Sequence, residues 1–324
     1  MRMKMLVWLL VVFMSSVALA GCAGNIQSSK NTSNKKMSIV TTIFPIYDFT
    51  RAIVGDKATV TMLVSPGASI HSFDPSPADI KKINDSDIFI YIGGESDVWV
   101  SRILQSMDTS KIKLIRLMDF IKPVEEDEVE GMQAEEESHE HDATETQEPQ
   151  YDEHIWTSPQ NAVKLIDAIA DGVCAVDSKS SDAYRQNAES YTSKIQNVST
   201  EFKYVVDSAK RKKIVVADKF PFRYFVDEYG LDYRAAFSGC SDQTDASVAT
   251  IAYLVNTVKN EGLQYVYYVE LSNQNVARAI SEQTGAGMLL LHSCHNVSKA
   301  DFEKGVTYLS LMEQNVENLR KGLN

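Results

Sequence analysis

This sequence predicts an α/β protein in two halves, each built on a parallel sheet with covered faces, with one long helix between them. Three observations carry the prediction. Short apolar runs of β type alternate with helical patterns in both halves, as parallel sheets with crossover helices require. Between the halves, Tyr184, Ala188, Tyr191, Ile195, Val198, Phe202, Val205 and Ala209 alternate spacings of four and three without an intervening Pro or Gly. Histidine is scarce, with six in 324 residues, and three of them fall at predicted strand ends or helix mouths, where ligands collect in open α/β sheets.

In the first half a strand is expected at 39–43, followed by a helix through 47–54. A second strand runs over 59–64, and a loop containing His71 leads to a helix at 77–84. A third strand at 88–92 ends in Gly93-Gly94, and a helix with Trp99 and Leu104 precedes a last strand at 113–115. The central helix is capped by Ser181 and Asp182 and spans 181–209, about 42 Å at 1.5 Å per residue, long enough to act as a stiff connector. In the second half, strands at 213–216 and 265–269 flank a helix at 247–261. A helix at 275–284 leads into a strand at 288–291, which His292 closes, and a final helix covers 308–319. The expected organisation is a leader at 1–21, a tether at 22–36, an N-terminal lobe at 37–180, the connecting helix at 181–209 and a C-terminal lobe at 210–324.

The first residues speak to compartment. Arg2 and Lys4 precede an apolar run, 5–20, that is short for a membrane span of about 20 residues. The run ends in Leu19-Ala20-Gly21-Cys22, which resembles a bacterial lipoprotein cleavage site; that resemblance implies removal of 1–21 and diacylation of the Cys22 thiol, the alternative being an uncleaved signal anchor. Residues 23–36, rich in Ser, Asn and Lys, read as a flexible tether.

The net charge of −12 is local in origin. Residues 125–153 hold fourteen Asp and Glu and no Lys or Arg, and removing their charge leaves the rest of the chain at +2. No basic face for nucleic acid is indicated. The acidic stretch has no apolar periodicity, repels itself and is expected to be a mobile loop. His139 and His141 lie inside it and can catch a metal weakly.

Beyond Cys22 three cysteines remain. Cys174, among Ala, Ile and Val in a helix, reads as a small buried hydrophobe. Cys240 and Cys294 both lie in loops after predicted strands of the C-terminal half. A disulfide between them is expected in an oxidising compartment, with a thiolate metal ligand from Cys294 as the alternative.

Four motifs now define a likeness: Ile39-Val-Thr-Thr-Ile-Phe-Pro-Ile-Tyr47, His71-Ser-Phe-Asp-Pro-Ser-Pro-Ala-Asp-Ile80, Asp152-Glu-His-Ile-Trp-Thr-Ser-Pro159 and Tyr308-Leu-Ser-Leu-Met-Glu-Gln-Asn315. In order and spacing the chain from Met37 onward resembles the metal-binding lipoproteins of zinc and manganese ABC importers. The resemblance implies two (β/α)4-like lobes joined by a long helix, a metal in the cleft between them, and an acidic histidine-bearing loop ahead of the second ligand. It places His71 at the first ligand position and His154 at the second. Pro75 and Pro77 stiffen the backbone after His71, and Ser158-Pro159 opens a helix after His154.

The third family position, normally His or Glu, falls on Lys219, and a protonated lysine cannot ligate. Lys219 is expected to pair with Asp218, with Glu270 or with another acidic group near the cleft, and Asp218 is a weaker oxygen candidate. At the fourth position His292 is read in place of the usual Asp, giving His71, His154 and His292 as a three-imidazole set. Water, Asp218, Glu270 or His295 would complete it; Glu270 could instead orient a ligating imidazole. Nitrogen-rich ligation favours Zn2+ over Mn2+.

The implied function is an extracytoplasmic, lipid-anchored, monomeric receptor that binds Zn2+ and delivers it to the permease and ATPase of an importer, without catalysis. Manganese capture is the alternative within that class. A three-histidine zinc site beside Glu270 also admits a hydrolase, although no His-Glu-x-x-His signature occurs. A surface adhesin on the same scaffold is a third reading.

Overall fold

The computed structural model describes residues 36–69, 73–133, 150–239, 241, 243 and 245–324. Residues 36–324 form one compact unit. The first sheet holds β1 (Met37–Thr41), β2 (Ala58–Met62), β3 (Ile88–Tyr91) and β4 (Lys113–Arg116), the second β5 (Lys213–Val216), β6 (Asp232–Ala235), β7 (Tyr265–Tyr268) and β8 (Gly287–Leu290). Their spatial orders are β2-β1-β3-β4 and β6-β5-β7-β8, every pairing parallel. In each sheet the chain leaves its first strand toward one edge and returns to build the other. The gap beside that first strand, at the carboxyl ends, is therefore a switch point where a crevice opens.

Sequence composition explains the sheets. Ile39, Ile88, Phe89, Ile90, Val215 and Val216 are essentially inaccessible, as parallel strands covered on both faces must be. The crossover helices of the first half are α1 (Phe44–Val54), α2 (Pro77–Asn84) and α3 (Val98–Ser106). Ser76 and Asp79 close a reciprocal capping box on α2, which fixes the chain five residues after His71. Helix α4 (Pro159–Val176) starts on the Ser158 cap and carries the free, buried Cys174.

The connector is α5 (Ser181–Asp207), 27 residues and about 40 Å long. Its buried face is Tyr184, Ala188, Thr192, Ile195, Val198, Phe202, Val205 and Val206, close to the expected stripe. In the second half come α6 (Arg223–Tyr229), α7 (Val248–Asn260), α8 (Asn275–Thr284), α9 (Lys299–Glu303) and α10 (Tyr308–Gly322). Helix α5 packs on α1, α4, α6 and α10, so it touches elements of both halves. One continuous apolar core accordingly runs from Ile39 and Ile90 through Phe202 to Ile214 and Leu319. Two smaller clusters cover the outer sheet faces, one under α7 and α8, the other under α2 and α3.

Polar links tie the halves as well. The Asp48 carboxylate, 1 % exposed, accepts from the Tyr191 hydroxyl at 2.7 Å and the Tyr308 N–H at 2.9 Å. Asn296 donates to the carbonyls of Ser65 at 2.9 Å and Ala68 at 2.7 Å.

Three features depart from the sequence reading. Strand β6 was not expected, because Asp-Tyr-Arg-Ala is short and half charged; its inward Tyr233 and Ala235 are buried. The acidic stretch is not loose throughout. Its base closes as a bridge between Glu125 and Tyr151, and Val124, Val129 and Met132 pack on the core. Gln133 N–H reaches the Ala236 carbonyl, and Arg223 pairs with Asp127 at 2.7 Å. Finally, Cys294 is a free thiol rather than half of a disulfide, fully buried, and burial pushes its pKa well up. Its side chain faces the core instead of the loop surface, against the His292 carbonyl. The other member of the expected pair, Cys240, lies outside the described residues, as do Cys22, His71, His139 and His141.

Candidate metal centre

A cavity of about 470 Å3 opens at the carboxyl ends of both sheets. Ile43, Val64, Gly67, Ala68 and Ser69 line it from the first half. Asp218 and Lys219 after β5, Glu270 and Leu271 after β7, and His295 and Asn296 after β8 line it from the second. His154 stands between them, immediately before a single 3-10 turn, Ile155–Thr157, that leads into α4.

His154 is fully buried, and its orientation is fixed from behind. Asp152 Oδ1 accepts the His154 backbone N–H at 2.7 Å and lies 3.1 Å from ring Nδ1. Asp152 is itself held by its N–H on the Val124 carbonyl and by the Tyr224 hydroxyl on its carbonyl. A carboxylate at Nδ1 places the ring proton there and leaves Nε2 with a free lone pair. That Nε2 is buried and has no hydrogen-bond partner. An orphaned acceptor backed by a buried carboxylate is the arrangement a metal-ligating imidazole needs. Burial disfavours the imidazolium, but the Asp152 charge and hydrogen bond, with Glu153 and Glu126 behind them, outweigh it and raise the pKa above 6.5.

The ring beside it is His295, at a centroid separation of 5.4 Å and an interplanar angle of 83°. Two imidazoles sharing a tetrahedral zinc at about 2.0–2.1 Å per Zn–N bond would place their centroids roughly 5 Å apart. The pair thus has the spacing for one ion. His295 is positioned by Glu270, whose Oε1 accepts its N–H at 3.1 Å and the Ser293 hydroxyl at 2.5 Å, while Oε2 accepts the Ser293 N–H at 2.7 Å. Glu270 therefore acts here as an organiser of the loop after β8.

His292 does not join this pair. Asn315 of α10 grips it from both sides, accepting its N–H at 2.8 Å and donating to its carbonyl at 2.7 Å. Its ring lines a separate small pocket with Phe222, Phe225 and Met312, and Nδ1 accepts the Cys294 N–H at 2.9 Å. Cys294 then takes a left-handed backbone, φ 61°, and the turn it makes carries His295 round to the cavity. Of the expected set of three, the structure describes two and brings only His154 to the cavity; His71 is not described, but Ser69, two positions before it, is a lining residue. Among the described residues no three His, Cys, Asp or Glu side chains form a complete metal-holding group.

Asp218 lines the cavity with one oxygen on the Lys219 N–H at 2.9 Å and the other on the Val269 N–H at 3.4 Å, and burial pushes its pKa up. The expected ion pair of Lys219 with Asp218 or Glu270 is not formed; Glu270 Oε2 lies 3.5 Å from His292 Nδ1 instead. Glu126 is a site neighbour that sequence reasoning missed. A Cβ at Gly239 would lie 3.2 Å from both Glu126 Oε1 and His154 Cε1 and 3.0 Å from the Phe220 carbonyl, so glycine lets these groups approach. Nothing in a run of fourteen carboxylates singles that one out.

Two parallel sheets bridged by a long helix, with a histidine-bearing cavity at their carboxyl ends, define a two-lobed α/β binding fold. The sequence profile of the zinc-uptake complex component A family, periplasmic, matches residues 39–322, and the chain belongs to that family. It is 30 % identical over 315 residues to the zinc-binding lipoprotein AdcA of Streptococcus pneumoniae, covering 97 % of this chain and 60 % of that protein. The chain thus spans about three fifths of that relative's length. The high-affinity zinc uptake system protein ZnuA of Bacillus subtilis is 28 % identical over 318 residues, with 97 % of both chains covered. The Zn(II)-bound ZnuA-like domain of pneumococcal AdcA superposes with a TM-score of 0.73 at 29 % identity, covering 89 % of this chain and 99 % of that one.

Proposed function

We propose that this protein is an extracytoplasmic receptor that captures Zn2+ in the cavity between its lobes and passes it to the permease and ATPase of an ABC importer. In this reading a lipid on Cys22 holds it at the membrane; among the described residues no helix is long and apolar enough to span one. The observation that carries the reading is the orphaned His154 Nε2, backed by Asp152, on a ring whose centroid lies 5.4 Å from that of His295. His71 supplies the next ligand, in keeping with the cavity-lining role of Ser69. An imidazole-rich set suits zinc better than manganese, which prefers carboxylate oxygen. The zinc-binding relatives support the same cargo.

The site is read as binding rather than catalysis. Polar links such as Asn296 to Ser65 and Ala68, with α5 packed on both halves, favour small rigid-body tilting on loading over a wide hinge swing.

Competition titration of the purified protein with a chromophoric zinc chelator tests the assignment. His154→Ala, His295→Ala and His71→Ala should each weaken zinc binding at least about a hundredfold, the scale of losing a direct ligand rather than a supporting contact. His292→Asn, which keeps an acceptor for the Cys294 N–H, should stay within a few-fold of the parent. The reverse pattern, with His292 essential and His295 dispensable, would overturn the ligand set. Unchanged zinc binding in His154→Ala would overturn the function itself.

A further inference from the structure

We propose that the cavity takes its zinc together with a small carboxylate anion, and that the Lys219 ammonium is the counter-charge for that anion. This rests on the zinc reading above and adds the chemical form of the cargo to it.

Lys219 lies three residues beyond the end of β5 and lines the cavity in company with His154 and His295. A charged ammonium donates hydrogen bonds and cannot ligate. It is half-buried, and it forms no ion pair among the described residues. A dication in the same partly desolvated space would be repelled by it, because charges interact more strongly there than in water.

The nearby carboxylates have other work. Glu270 spends both oxygens on the loop after β8. Asp218 receives the N–H groups of Lys219 and Val269, and Asp152 serves His154. An anion with one oxygen on the metal and another toward Lys219 satisfies both positive groups at once.

The space fits such a ligand. At about 470 Å3 the cavity is far larger than an ion with one or two waters of about 30 Å3 each requires. Asn273 and Gln243 add amide groups to its wall. In the rim beside them Leu271 and Gln274 both hold left-handed backbones, φ 61° and 59°, without being glycine. With Cys294 they are the three such non-glycine residues described, and all lie in the two loops that border the cavity. Strained backbone of this kind gathers where a ligand is gripped. The anion class is a small mono-, di- or tricarboxylate, or carbonate, which shares the planar two-oxygen group.

Zinc affinity should be measured, referred to free Zn2+, in anion-poor buffer and again with millimolar malonate, citrate or bicarbonate. For the parent protein at least one anion should tighten zinc binding about tenfold or more, the worth of a charge-assisted hydrogen bond. Native mass spectrometry should then show protein, zinc and that anion in 1:1:1 ratio. Which probe acts separates an organic carboxylate from carbonate. Lys219→Met should lose the enhancement while binding zinc at least as well as the parent in anion-poor buffer, and Lys219→Arg should keep it. Zinc affinity indifferent to all three anions, with only a binary zinc complex in the spectrum, overturns the proposal. If His154→Ala abolishes zinc binding in the same experiment, the receptor reading survives that outcome; if it does not, the receptor reading falls too.

Discussion

Replacing Asp152 by Asn isolates one charge behind the cavity-lining imidazole of His154. Asp152 is 1 % exposed, and a single oxygen takes both the backbone N–H and the ring Nδ1 of His154, at 2.7 and 3.1 Å. Its links to Val124 and Tyr224 run through its own backbone and are untouched by the substitution. The amide has nearly the same shape and can still accept one N–H, so the ring should stay near its position while losing the carboxylate that raises its basicity. Groups in this position are worth tenfold to a hundredfold in metal affinity, or about 1.4–2.7 kcal/mol. The sign with pH is also fixed. A protonated imidazole cannot ligate, and Asp152, against the opposing effect of burial, lifts the His154 pKa above 6.5. The parent should therefore begin to lose zinc at a pH above 6.5. In Asp152→Asn burial is less opposed, the pKa drops, and the loss begins at lower pH. Zinc competition titrations from pH 8 to 5 should show Asp152→Asn weaker at neutral pH, with the gap narrowing on acidification. Equal affinity at pH 7.5, or a gap that widens as pH falls, would refute the assigned role of the carboxylate.

Phe202, fully buried on α5 with its ring 5.0 Å from Phe225 and 5.5 Å from Tyr229, anchors the connector; Phe202→Ala should cost about 3–5 kcal/mol in urea denaturation. Burial holds the Asp97 carboxyl up at about 7, although the N–H groups of Gly93 and Ile92 oppose this. The unfolded chain releases that proton near 3.8, so stability falls as pH rises from there to 7. Asp97→Asn, whose amide oxygen can accept the same two N–H groups, should stabilise the fold at pH 8 by up to about 4 kcal/mol and add nothing near pH 4, both read by urea titration. An equal gain at both values would show that ionisation is not the cause. Excising residues 134–149 removes several acidic charges and both histidines of the stretch, and the Glu125–Tyr151 bridge lies outside the cut. Stopped-flow loading at low zinc should slow, because a negative stretch raises local cation concentration, and equilibrium affinity should stay within a few-fold. A collapse of affinity would mean that the stretch ligates.

Most of the architecture was legible because its signals are periodic and long. The stripe from Tyr184 to Val205 is a helix face whatever it packs against, and the apolar runs around Ile39, Ile88 and Val215 have few options but buried parallel strands. What failed were elements set by tertiary context. Strand β6 exists because β5 offers it an edge along four residues, Lys213 to Val216, and its own Asp-Tyr-Arg-Ala has no such preference. The acidic run looked uniformly unstructured because its charge concealed Val129 and Met132, which the core holds.

The site divided along the same line. His154 was legible because Asp152 and Ser158-Pro159 lie within a few residues of it, so local sequence carries the carboxylate, the turn and the helix start together. The cavity-lining histidine after β8, His295, was not. Leu-His-Ser-Cys-His offers two imidazoles three positions apart, and spacing alone cannot say which side of the chain meets the cavity. The decision is made by Asn315, 23 positions away from His292, which clamps the first histidine on the α10 side, and by the left-handed turn at Cys294. The same turn bears on Cys294 itself: the residue that brings its successor round to the cavity holds its own free thiol in the core, against the His292 carbonyl. Cys294 is therefore part of the turn that presents His295 to the cavity, a role that sequence spacing alone does not reveal.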